Sequence, residues 1–101
     1  MLFSMDLKTE LDKFRERAKI IKVSQNESVE RLKMLLSKLL SIKPSKTEHF
    51  IKLNGVDYVK LHPILLEQAQ LFENYISATG MQDDFVLIRD DHSHNVICVR
   101  L

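Results

Sequence analysis

Apolar residues recur along the first forty positions at helical spacing. Leu7, Leu11, Phe14, Ala18 and Ile21 are separated by four, three, four and three residues. That rhythm predicts one apolar stripe on an amphipathic helix over residues 5–22. Its acids (Asp6, Glu10, Asp12) come early and its bases (Lys13, Arg15, Arg17, Lys19, Lys22) come mostly late, an order that complements the helix dipole. A second stripe, Leu32, Leu35, Leu36, Leu39 and Ile42, predicts a helix over 27–42 that Met34 and Leu40 make still more apolar.

Two readings compete at the junction. Ser24 and Glu27 have capping-box spacing, which favours a break and an αα-hairpin. Yet the first stripe runs on in phase through Gln25, Ser28, Leu32, Leu35, Leu39 and Ile42, with no Gly or Pro to stop it. One helix of about 38 residues, roughly 57 Å at 1.5 Å per residue, is the alternative. It would need a partner helix along its seam.

After KPSKT (43–47), where Pro44 closes the helical region, the period changes. In HFIKLNGVDYVKL, Asn54-Gly55 sits between β-rich runs, the signal of a two-residue hairpin. Setting Leu53 opposite Val56 pairs Ile51 with Tyr58, Phe50 with Val59, and Lys52 with Asp57. Pro63 fits the first turn of a third helix over 63–79, with Gly80 as its stop. Two β-branched runs, 85–89 and 96–101, close the chain. A loop at 91–94 would set Ile88 against Ile97 and Val86 against Val99. The expected order is α-α-β-β-α-β-β. This is an α+β domain spanning 1–101, with a helical region (1–43), a ββαββ region (48–101) and helices against one face of a small antiparallel sheet.

Composition narrows the function classes. With 101 residues, a net charge of +1, two glycines and one cysteine, the chain reads as a single globular domain. The near-neutral charge argues against a protein whose main work is gripping nucleic acid. A lone Cys98 cannot form an internal disulfide. The start MLFSMDLKTE reaches acidic residues too soon for a signal peptide, and no apolar run approaches membrane-spanning length. A cytoplasmic protein is the expectation.

Candidate chemistry is sparse. RDDHSHNV (89–96) gathers Asp90, Asp91, His92 and His94, groups that can ligate a divalent ion. His-x-His alone is a weak signal, and these are also ordinary turn residues. Cys98 has apolar neighbours, as a buried thiol does, and Ser93 beside histidines makes no triad. Two glycines supply no phosphate loop. No catalytic residue, metal or cofactor is therefore expected. The basic helix could contact phosphates through Lys13, Arg15, Arg17, Lys19 and Lys22, making a nucleic-acid-binding regulator the alternative. The favoured expectation is a non-enzymatic protein-interaction module, a self-associating regulator or inhibitor of a larger assembly. Leu7, Leu11, Phe14, Ala18, Ile21, Leu32 and Leu39 are its candidate interface.

Overall fold

Asn54 and Gly55 both adopt positive φ (51° and 82°), the backbone that a two-residue hairpin turn demands. They join β1 (His49–Leu53) to β2 (Val56–Ile64). The register is the expected one, with Leu53 opposite Val56, Ile51 opposite Tyr58 and Phe50 opposite Val59. Lys52 and Asp57 face each other with Nζ and Oδ1 3.1 Å apart. The computed structural model describes residues 2–21, 27–41, 49–90 and 92–101.

The helical half consists of α1 (Leu2–Ile21) and α2 (Glu27–Leu40). One ion pair decides between hairpin and continuous helix. Arg31 Nη1 donates to Glu10 Oε2 at 3.3 Å, whereas residues 21 apart on one straight helix would lie roughly 31 Å apart. The two helices fold back on each other; Ser24, the expected cap, lies outside the described residues. α1 also starts three residues earlier than expected, so its first turn holds no acid and only Lys19 serves the dipole in its last turn.

Pro63 does not start a helix. It lies within β2, paired with Val96 of β4 (Asn95–Arg100), and α3 begins only at Leu66 and runs to Ala78. β1 reaches no further along β2 than Lys60. Beyond that point no described residue pairs with that side of β2, and a proline lacking an N–H is tolerated where its strand has no neighbour to bond. At the start of α3 the Leu65 N–H donates to Gln68 Oε1 at 2.8 Å. Its end is the expected glycine stop: Gly80 has φ 74°, and the Met81 N–H reaches the Ile76 carbonyl at 2.8 Å, as in a Schellman motif.

β3 (Phe85–Arg89) completes a four-stranded antiparallel sheet in the order β1-β2-β4-β3. Its register differs from the expected one by a residue: Ile88 faces Val96, Leu87 faces Ile97, and Val86 faces Cys98. The cause is the loop. The Ser93 N–H donates to the Asp90 carbonyl, the Asp90 N–H donates to the His94 carbonyl, and Ser93 has φ 64°. This is a turn followed by a left-handed residue, tighter than a four-residue loop.

All three helices contribute to one core on one side of this sheet. Leu7, Leu11, Phe14 and Ala18 of α1, Val29, Leu32, Leu36 and Leu40 of α2, and Ala69, Phe72 and Ile76 of α3 meet Val59, Leu61, Ile64, Phe85, Ile97 and Val99. Phe72 and Phe85 pack edge to face at 5.3 Å, a favoured aromatic geometry. Among the described residues no helix is long and apolar enough to cross a membrane.

Candidate protein-interaction face

Cross-strand partners share a face of the sheet, so the register sorts the side chains. Phe50, Val59, Val99 and Phe85 form one row across the sheet, and His62, Ile97 and Leu87 form another. These rows look toward the helices. Between Lys60 and His62 the register shifts by one residue, so Leu61 is an extra, unpaired residue. In such a bulge consecutive residues can turn to the same side. Leu61 and His62 are both buried as a result.

The opposite face carries Ile51 and Leu53 of β1, Val56 and Tyr58 of β2, Val96 and Cys98 of β4, and Val86 and Ile88 of β3. Val96 and Cys98 are buried at its centre. The other six are only half buried, and none belongs to the core cluster or packs against it. The charged side chains on this face among the described residues are both basic, Lys60 and Arg100. A sheet packed on one face normally shows polar residues on the other. A half-buried apolar face that no described helix packs against is the kind of surface that marks interaction sites.

Two titratable groups, His62 and Cys98, are buried in the sheet. His62 is 1% exposed, and neither ring nitrogen has a hydrogen-bond partner among the described residues. Burial, followed by the nearby charge of Lys33, pushes its pKa down to about 4. Cys98 lies on the open face under its neighbours. Burial raises its thiol to about 11, with Lys60 pulling slightly the other way. Such a thiol is almost wholly protonated at neutral pH and is a poor nucleophile.

In the final loop, Asp90 Oδ1 accepts the backbone N–H groups of His92 and His94, each at 2.9 Å. Desolvation pushes this carboxyl up, but those two donors and the nearby imidazoles outweigh it and leave the pKa below its ordinary value. The carboxylate is a clasp for its own turn. Asp91 lies outside the described residues. Among the described ones, no three His, Cys, Asp or Glu side chains are grouped to hold a metal.

The helix residues proposed from sequence as an interface lie mostly inside. Leu7, Leu11, Phe14, Ala18 and Leu32 are fully buried in the chain's own core, and Leu39 packs against it. A side chain with no exposed surface is not available to a second chain unless the fold opens. The side chain of Ile21 lies outside the described residues. Sequence reading missed the open sheet face, although its pairs Ile51–Tyr58 and Leu53–Val56 were legible in the first hairpin.

The basic helix residues do not form one surface. At about 100° per residue, Lys13 and Arg17 fall on one flank of the buried stripe, Arg15 and Lys19 on the other. Arg15 is occupied: its Nη2 meets Asp84 Oδ1 at 2.6 Å and its Nε donates to the Arg100 carbonyl at 2.8 Å. Lys13 Nζ sits 3.9 Å from Glu10. Arg17 and Lys19 are exposed, and Lys22 lies outside the described residues.

Comparison of the chain with protein-family models, curated proteins and solved structures found no significant match.

Proposed function

We propose that this chain is a protein-interaction module without enzymatic activity, binding a protein partner through the open face of its sheet. The observation that carries this reading is the set of six half-buried apolar side chains, Ile51, Leu53, Val56, Tyr58, Val86 and Ile88, lying outside the core. Keeping them near water costs free energy that a partner's apolar surface would recover, at roughly 25 cal/mol per Å². Because Lys60 and Arg100 are the charges on that face, the complementary partner is apolar at its centre and acidic at its rim. A regulator or inhibitor of a larger assembly is the role that suits such a surface on a small cytoplasmic domain. The basic helix offers weaker support for nucleic-acid binding, since Arg15 is engaged within the fold.

The test is affinity capture from native lysate with nuclease present, using wild type beside the double variant Ile51→Glu/Val56→Glu. A partner held by wild type and lost from the folded variant is expected. Equal capture by both, or loss of the partner on nuclease treatment, would sink the reading.

A further inference from the structure

β3 ends the sheet, and its outer edge can be read group by group. The Arg100 N–H donates to the Asp84 carbonyl, and the Asp90 N–H to the His94 carbonyl. Antiparallel pairs alternate between bonded and non-bonded, so residues 84, 86, 88 and 90 turn their backbone groups toward β4. Phe85, Leu87 and Arg89 turn theirs outward, where no described strand pairs with them.

Natural edges are usually blunted by an internal lysine, a proline or a bulge. β1, the other edge, carries the exposed Lys52. β3 carries no such guard between Phe85 and Ile88. Beside it, α3 and β3 enclose a groove of about 330 Å³ lined by Phe72, Ile76, Phe85 and Leu87, with Glu73 also in its wall.

We propose that β3 is the docking edge for a second copy of this chain, added antiparallel about a two-fold axis at Leu87. In that register Leu87 meets the partner's Leu87, Val86 meets the partner's Ile88, and Phe85 meets the partner's Arg89. Outward backbone groups then face outward backbone groups, and each such pair exchanges two N–H···O bonds. A shift of one residue would set the helix side of one copy against the open face of the other. The partner's Arg89, opposite Phe85, is carried over the groove whose wall includes Glu73, so opposite charges meet once in each copy. That self-complementarity selects a second copy over an unrelated strand. The flanking acids are already engaged, Asp84 by Arg15 and Asp90 by the N–H groups of its own loop. The product is one continuous eight-stranded sheet with its open faces side by side. The inference rests on reading the chain as an interaction module, but it uses a different surface.

Sedimentation equilibrium of the full chain tests it. Wild type is expected to dimerise with a dissociation constant on the order of 1–100 μM, as a small seam allows. Glu73→Arg and Arg89→Glu should each weaken the dimer by roughly tenfold or more, and the double exchange should restore it, with circular dichroism unchanged. In the dimer, the amides of Phe85, Leu87 and Arg89 should exchange more slowly as concentration rises. A monomer at every concentration, or a dimer indifferent to both single exchanges, overturns the proposal. A monomer that still binds a partner through Ile51 and Val56 overturns this inference alone. A charge-sensitive dimer that takes no partner overturns only the functional reading.

Discussion

Arg15 in α1 and Asp84 before β3 stand 69 positions apart in the chain and 2.6 Å apart in space. Both side chains are about four-fifths buried, with 21% and 20% exposed. The same guanidinium holds the Arg100 carbonyl, so one side chain ties the first helix to the last strand. Hydrogen bonds to charged groups contribute about 1.5–3 kcal/mol each when one partner would be left unmade. Arg15→Met should therefore destabilise the fold by about 2 kcal/mol in urea unfolding. A double-mutant cycle with Asp84→Asn should return a coupling of about 1–2 kcal/mol.

The first hairpin depends on a backbone conformation more than on a contact. A methyl group on Gly55 would meet nothing within 4 Å, but its φ of 82° is strained for any other residue. Gly55→Ala should cost about 1 kcal/mol, lowering the melting temperature by about 4–8 °C for a domain of this size. Asn54→Gly, at φ 51°, should change it little. Equal losses at the two positions would contradict this assignment.

Stability should fall in mild acid because of His62. Its folded pKa is about 4 against an ordinary 6.5. Between those values the unfolded chain binds a proton that the folded one refuses. The stabilisation is complete above pH 6.5 and is lost as pH falls toward 4. Up to about 3 kcal/mol is at stake for a shift of this size. Denaturation midpoints measured from pH 7 to pH 4 should decline, and His62→Leu should flatten the decline. An unchanged slope in the variant would assign the acid sensitivity elsewhere.

Cys98 should be chemically silent while the protein is folded. With no exposed surface and its pKa raised to about 11, it should resist a disulfide reagent at pH 8. Reaction should then appear in parallel with unfolding as urea is added. Rapid modification of the native protein would show that the open face admits solvent to its centre.

Much of the fold was legible because the local signals are strong. Asn54-Gly55 dictated its turn and thus every pairing in the first hairpin. The stripe Leu7, Leu11, Phe14, Ala18 correctly marked a buried helix face. What failed was whatever depends on contacts distant in sequence. Pro63 has the chemistry of a helix start, but pairing with β4 kept it extended. The loop after β3 closes tightly because Asp90 clasps two backbone N–H groups, which composition alone did not reveal. The continuity of the helical rhythm through 23–28 carried no information about a turn, whereas the Glu10–Arg31 contact did. The helix stripe read as a candidate surface lies inside for a related reason. An apolar stripe states that something covers it, and only tertiary structure says whether the cover is the same chain.

The extra residue at Leu61 also gives the sheet an uneven tolerance for changes in chain length. β2 has one residue more than β4 has places for. Deleting Leu61 removes a buried side chain but leaves Lys60 opposite Cys98 and His62 opposite Ile97, so the strand is shortened without being turned over. β4 has no such slack. From Asn95 to Val99 every residue has a partner on both sides. Losing any one of them would turn the remainder of the strand inside out against a neighbour, exchanging core for surface. Single-residue deletions along these two strands should therefore be survivable at 61 and lethal to folding within 95–99.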